Sequence, residues 1–336
     1  MKNEELLREF IKSIDVKESH FSSLILQLLE YWARTKDYQM DNRLLHDLVF
    51  KYAAAEKELK QLNNELILKQ NRIEEDLAAA SEIQRSLLPQ KINSIKNLEV
   101  AWKFKPCDKI GGDIFNMAQL DDEYWAIYML DVSGHGVPAA MVAVSVFQNL
   151  QPQGGNIILK AGGPQSSPEI RSPAKVLEKL DQEYTFDRFN NFFTINYVIL
   201  NATTGRFTCS SAGHPPPIIV RKDGTLDILA SGSPPIGTRD LRLTDEQMPF
   251  PEEEYQMKWG DKLLFYTDGV FEYQNRQGDF YGSGRLRRNL KEFNNRPVSN
   301  LIETLFQSLM DFGYYLEPKD DISLLGLELR NNPGQD

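Results

Sequence analysis

Five short stretches hold the residues of this chain best placed to do chemistry. They are Gly111-Gly112-Asp113, Asp131-Val132-Ser133-Gly134-His135-Gly136, Ala212-Gly213-His214-Pro215-Pro216, Thr267-Asp268-Gly269 and Asp320-Asp321-Ile322-Ser323. All but the third set an aspartate at a glycine turn or just ahead of an apolar run. Asp131 follows Trp125-Ala126-Ile127-Tyr128-Met129-Leu130, and Asp268 follows Leu263-Leu264-Phe265-Tyr266. Taken singly, each Asp-Gly is an ordinary turn. Taken together, aspartates at strand ends can converge on one edge of a sheet, on rigid supports. Without a counter-charge, so many anions would raise one another's pKa values and destabilise the site. Hard divalent cations that prefer oxygen, Mg²⁺ or Mn²⁺, remove that conflict. The residues therefore point to a metal-dependent hydrolase.

Strands must position those acids, and the second part of the chain reads as strands. Residues 98–104, 124–130, 192–200, 206–211, 262–266 and 322–329 are rich in aromatic or branched side chains, with turn signals such as Asp121-Asp122, Thr204-Gly205 and Asp223-Gly224 between them. Helices are expected at 137–150, at 173–184 behind a Ser172-Pro173 start, and at 297–312. This order argues for an α+β antiparallel sandwich with helices outside. Residues 151–168, rich in Gly, Pro, Gln and Ser, read as a mobile surface loop without catalytic importance. Ahead of the strands, 1–52 reads as short helices without Gly or Pro, with Leu24, Ile25, Leu28, Leu29 and Trp32 at helical spacing. From 53 to about 88 one continuous helix is expected, ended by Pro89. Leu59, Leu62, Leu66 and Ile73 keep a heptad seam there, broken by a polar core position at Lys69 or Gln70 and by a four-residue step to Leu77. That is the pattern of a weak dimeric coiled coil, or of a single amphipathic helix lying on the next domain.

Composition narrows the partners. A formal net charge of −10 disfavours nucleic acid and anionic membrane surfaces. No apolar run reaches the roughly 18 residues of a membrane span, and the charged start has no signal-peptide core behind it. The two cysteines, Cys107 and Cys209, lack zinc spacing and read as reduced thiols of a cytoplasmic protein.

The segment 77–330 resembles the PPM-type (protein phosphatase 2C-like), metal-dependent serine/threonine phosphatases, in their bacterial SpoIIE/RsbU-like branch. The resemblance rests on Glu82-Ile83-Gln84-Arg85-Ser86-Leu87-Leu88-Pro89, the five stretches above with Val137-Pro138-Ala139-Ala140 after the second, Phe193-Thr194 with Tyr197, Pro235-Ile236-Gly237, and Val270 with Glu272 after Thr267-Asp268-Gly269. It implies an αββα sandwich phosphatase domain over 91–330, preceded by a helical regulatory or dimerisation module (1–52) and a coiled-coil linker (53–90), with a tail at 331–336.

The resemblance also implies two Mn²⁺ or Mg²⁺ ions and direct attack on phosphorus by a hydroxide bridging them. Asp131 would bridge both ions, Asp113 and the Val132 carbonyl would complete one set, and Asp268 and Asp320 would hold the other. Asp321 would stand behind the ligands. Eukaryotic members place a histidine, often assigned as general acid, where this chain has Ser133. His135 therefore stays open between that role and packing against the following helix, and Lys109 between contacting substrate phosphate and simple solvation. His214 reads as structural. The implied substrate is a phosphorylated STAS-type anti-sigma-factor antagonist in a partner-switching pathway, with a regulatory protein acting on the N-terminal helices and a homodimer formed through the coiled coil. The rival reading is a non-catalytic phosphoprotein-binding adaptor on the same fold.

Overall fold

The structure is a computed structural model that describes residues 42–89, 95, 97–152, 157–160, 169–230, 232–239 and 249–330. The helices expected before residue 42 and the tail after 330 lie outside the described residues. The chain divides into two compact units, Met1–Glu75 and Asp76–Asp336. In the first, the described residues belong to helix α1 (Asn42–Leu87), which begins well ahead of the expected 53. No Gly or Pro interrupts it, so nothing stops helix propagation until Pro89. Its apolar residues Leu59, Leu62, Leu66 and Ile73 are exposed.

In the second unit every expected strand forms, within two residues of its predicted ends. These are β1 (Leu98–Lys105), β3 (Tyr124–Val132), β6 (Phe193–Asn201), β7 (Arg206–Ala212), β11 (Lys262–Tyr266) and β12 (Ile322–Leu329). Added to them are β2 (Ile114–Gln119), the short β4 (Leu159–Lys160) and β5 (Glu169–Ile170), β8 (Ile218–Val220), β9 (Leu226–Ile228) and β10 (Glu252–Gln256). One antiparallel sheet runs β1-β12-β11-β8-β9, and a second runs β10-β7-β6-β3-β2. The longer helices are α2 (Val137–Asn149), α3 (Pro173–Glu183), α6 (Gly282–Glu292) and α7 (Val298–Phe312), with single-turn α4 (Phe186–Phe189) and α5 (Asp268–Glu272) between them. Helix α2 packs on β3 and β2, and α3 on β7 and β6, while α7 covers β1 and β12.

Side-chain alternation explains this layering. Along β12, Leu325, Leu327 and Leu329 join the core that holds Ile127, Met129 and Val198 of the other sheet, whereas Ile322 and Leu324 join the core of Leu301, Ile302 and Leu305 from α7. Both faces of β12 are buried, which is why it reads as an almost unbroken apolar run. Trp102 of β1 meets Phe115 of β2 edge-on at 5.6 Å, joining the two sheets.

One expectation needs correction. Residues 151–168 are not all surface loop: Ile157 and Ile158 are buried in the core, and β4 pairs with β5. The Ile157-Ile158-Leu159 run finds an apolar face despite its Gly- and Pro-rich surroundings. Among the described residues no helix is long and apolar enough to cross a membrane.

Leu325 is fully buried, paired with Trp102 on one side and Phe265 on the other. Leu325→Ala should lower stability by about 2–5 kcal/mol through the cavity it leaves. A urea titration with an unshifted midpoint would contradict this packing.

Candidate active site

Antiparallel pairing places the acids. In one sheet, β11 ends beside the start of β12, with Tyr266 opposite Leu324 and the Thr267 N–H bonded to the Ser323 carbonyl at 3.2 Å. That register sets Asp268 next to Asp320 and Asp321. In the other sheet, β2 begins beside the end of β3, with Ile114 opposite Leu130, so Asp113 and Asp131 flank the same edge.

Hydrogen bonds join these two edges. Asp113 is almost wholly buried, and its Oδ2 accepts from Ser323 Oγ at 2.6 Å and Thr267 Oγ1 at 2.9 Å, both on the opposite sheet's edge. Its Oδ1 has no partner. Asp321 reaches the other way, its carboxylate accepting from the Cys107 N–H at 2.8 Å and the Asp113 N–H at 3.2 Å. The glycines before Asp113 make room for this. A Cβ at Gly111 would lie 2.0 Å from Asp321 Oδ2, and one at Gly112 would lie 2.8 Å from the Val132 carbonyl oxygen. From the helical side, Gln84 clamps the same loop: its Nε2 donates to the Gly111 carbonyl at 2.8 Å and its Oε1 accepts the Gly111 N–H at 3.1 Å.

The acids lie close enough to shift one another's pKa values. Burial pushes Asp113 well above the usual carboxylate range, with Asp131 and then Asp321 adding to the rise against bonds from Ser323 and Thr267. Burial, followed by the charges of Asp268, Asp320 and Asp321, pushes Asp131 up to about 8, opposed by a bond with Asp113. Asp268 and Asp320 are also raised, chiefly by burial. His135 is exposed, yet close enough to Asp320 to pull its pKa down.

Of the residues singled out from sequence, Asp113, Asp131, Asp268, Asp320 and Asp321 come together, and the Val132 carbonyl lies against Gly112. Ser133 turns elsewhere: its N–H donates to the Phe192 carbonyl, its Oγ accepts the Phe192 N–H, and its carbonyl accepts from Asn191 Nδ2. It fixes the turn after β3. Lys109 is exposed on the loop before Gly111. His214 is buried, with Nδ1 at 2.7 Å from Thr194 Oγ1, and burial lowers its pKa to about 3, so it is a neutral part of the frame. Thr194 lies opposite Asp131 on β6. Thr267, Ser323 and Gln84 were missed as site residues. Their signal was position, in motifs read only for their acids and apolar residues.

An all-oxygen donor set, repelling carboxylates and the unpartnered Asp113 Oδ1 fit hard divalent cations. Among the described residues no three acidic, histidine or cysteine side chains already form a cluster able to hold an ion.

A pH dependence follows. The Asp131 pKa is raised from 3.8 to about 8, so the folded, cation-free chain keeps a proton that the unfolded chain releases. Stability is then lost as pH rises through that window. In chelator, the melting temperature of wild type should fall relative to Asp131→Asn between pH 5 and 8. A constant difference across that range would refute the buried, unneutralised Asp131.

The chain also resembles known proteins in sequence and fold. The chain is 27% identical over 241 residues to the phosphoserine phosphatase RsbP of Bacillus subtilis, covering 70% of this chain and 53% of that protein. It is 24% identical over 262 residues to the phosphoserine phosphatase RsbU of the same organism, covering 77% and 71%. It thus spans about half the length of RsbP. The SiaA-PP2C domain of Pseudomonas aeruginosa shares the fold with a TM-score of 0.63 at 21% identity, covering 78% of this chain and 98% of that one. The family profile described as Stage II sporulation protein E (SpoIIE) matches residues 121–330. That span is well over half of the sequence and takes in three of the converging acids together with Asp321, and the chain belongs to the SpoIIE family.

Proposed function

We propose that this protein is a metal-dependent phosphoserine/phosphothreonine protein phosphatase. The observation that carries the proposal is Asp113: a buried carboxylate with one unpartnered oxygen, set among other acids whose pKa values are raised as well. Asp131 would bridge two ions, with Asp113 and the Val132 carbonyl on one side and Asp268 and Asp320 on the other. When bound, two Mn²⁺ or Mg²⁺ ions would supply an acidified water as nucleophile and stabilise charge developing on the phosphoryl group. The chain's own residues hold the frame for that chemistry. Thr267 and Ser323 fix one oxygen of Asp113, leaving the other free, and Asp321 locks the Asp113 backbone. His135, exposed near Asp320, would be our candidate to protonate the leaving oxygen.

The kinship with two phosphoserine phosphatases supports phosphoserine as the substrate. Within it, a phosphorylated STAS-type antagonist in a cytoplasmic partner-switching pathway is our preferred target. Exposed Leu59, Leu62, Leu66 and Ile73 support a coiled-coil dimer through α1. The Gln84 clamp supports control from the helical side, since a shift of the end of α1 would pull on the loop that carries Asp113.

Asp131→Asn keeps size and removes the bridging charge. It should cut Mn²⁺-dependent hydrolysis of an aryl phosphate by at least about two orders of magnitude and weaken Mn²⁺ binding by calorimetry. Wild-type protein that binds a serine-phosphorylated STAS protein without releasing phosphate would favour the adaptor instead. Removing residues 1–69 should change the phosphatase rate or Mn²⁺ affinity. Identical kinetics with and without them would exclude regulation through α1.

A further inference from the structure

Helix α7 ends in an unusual way. The Tyr314 N–H bonds to the Asp311 carbonyl at 3.2 Å and the Tyr315 N–H to the Met310 carbonyl at 2.9 Å, the closing pattern that normally puts glycine in the left-handed position. Here the glycine comes one residue early. Gly313 sits where a Cβ would fall 2.1 Å from the Tyr273 ring. The left-handed positions are filled by Tyr314 and Tyr315, at φ 52° and 57°. Bulky side chains pay a steric penalty in that conformation. Neither side chain recovers it by burial: Tyr314 is 57% and Tyr315 60% exposed.

Their surroundings form a single patch. Arg276 lies over the Tyr314 ring at 5.2 Å, in a hairpin closed by the pairing of Gln274 with Phe280. Phe280 is itself 53% exposed, and Leu316 completes the patch. Arg285 ties the two pieces together, donating to the Phe280 carbonyl at 2.8 Å while covering the Phe312 ring. The patch is also continuous with the acids. Tyr273 directly follows α5, which begins at Asp268, and its hydroxyl donates to the Leu316 carbonyl at 2.6 Å. Asp320 follows Leu316 by four residues, at most about 14 Å of chain. A standard protein interface of about 800 Å² per partner is a disc of roughly 16 Å radius. An interface of that radius centred on Asp320 reaches as far as Leu316. Arg276 and Lys319 border the patch. The first stacks on Tyr314 and the second donates to Gln274, and among the described residues neither forms an ion pair with a carboxylate.

We propose that Tyr314, Tyr315 and Leu316, with Phe280 and Arg276, form the docking platform for the folded phosphoprotein substrate, which meets them with an apolar contact edged by acidic side chains. The proposal rests on the phosphatase reading above. Tyrosine and arginine are the residue types that most often dominate protein interfaces, and an exposed aromatic cluster beside a catalytic edge marks such a surface. The platform recognises the protein around the phosphoserine and leaves the phosphate to the acids.

The test pairs three substrates with Mn²⁺ present: p-nitrophenyl phosphate, a short phosphoserine peptide, and a STAS-domain protein phosphorylated on serine. Replacing Tyr314 and Tyr315 together by glycine relieves the left-handed strain, so the melting temperature should hold or rise. Rates on the two small substrates should stay within about twofold, while kcat/KM on the phosphoprotein falls about tenfold or more, mainly through KM. Arg276→Glu should lower the same constant and leave the small substrates alone. Unchanged kcat/KM on the phosphoprotein would overturn the platform while sparing the phosphatase reading. Equal losses on all three substrates would reduce the loop to scaffold. Altered self-association without altered kcat/KM would reassign the surface to a second copy of the chain. Wild-type protein inert toward all three would end the phosphatase reading and the platform with it.

Discussion

The site depends on one carboxylate held by two hydroxyls that belong to the opposite sheet. Asp113 immediately precedes β2, yet of the two residues that bind it Thr267 follows β11 and Ser323 lies in β12. Its position is thus defined by the packing of two sheets and not by its own loop. Stacked sheets lie about 10 Å apart, so a side chain from one edge and its partners from the other meet only where the layers close. Asp321 adds the return connection, gripping the Asp113 backbone from the β12 side. The inter-sheet core, with Trp102 against Phe115, keeps that spacing fixed.

The same arrangement sets the electrostatics. Placing Asp113 and Asp131 on one edge and Asp268 and Asp320 on the other concentrates charge at a partly buried seam. Burial is the first cause of every rise in pKa among these acids, and mutual repulsion is added to it for most of them. A divalent cation held by these acids, as proposed above, would favour their ionised form. Affinity for the cation and instability without it have a common origin.

Much of this was legible in the sequence because the strands that matter are buried on both faces or alternate cleanly. β12 and β11 could hardly be read otherwise. β10 could not be read at all: Glu252-Glu253-Glu254-Tyr255-Gln256 is an exposed edge strand whose ladder with β7 needs no apolar side chains. The early start of α1 was hidden because no glycine or proline marks a boundary near residue 53. In the site, acids at strand ends announced themselves through glycine turns. Thr267 and Ser323 did not, since a hydroxyl next to an acid is common in any loop. Their role exists only once the two sheets are stacked. Ser133 shows the converse, a residue in a chemical-looking motif whose bonds go to the Phe192 backbone and the Asn191 side-chain amide.

The Gln84 clamp has a consequence of its own. A primary amide copies the peptide group, so Gln84 offers Gly111 what a neighbouring strand would offer: one donor and one acceptor. Each such neutral bond contributes only about 0.5–1.5 kcal/mol net, and water can take its place. Carrying no charge, the latch is indifferent to ionic strength and to proton concentration. The proposed control through α1 would therefore have to act on it by torque or displacement along the helix.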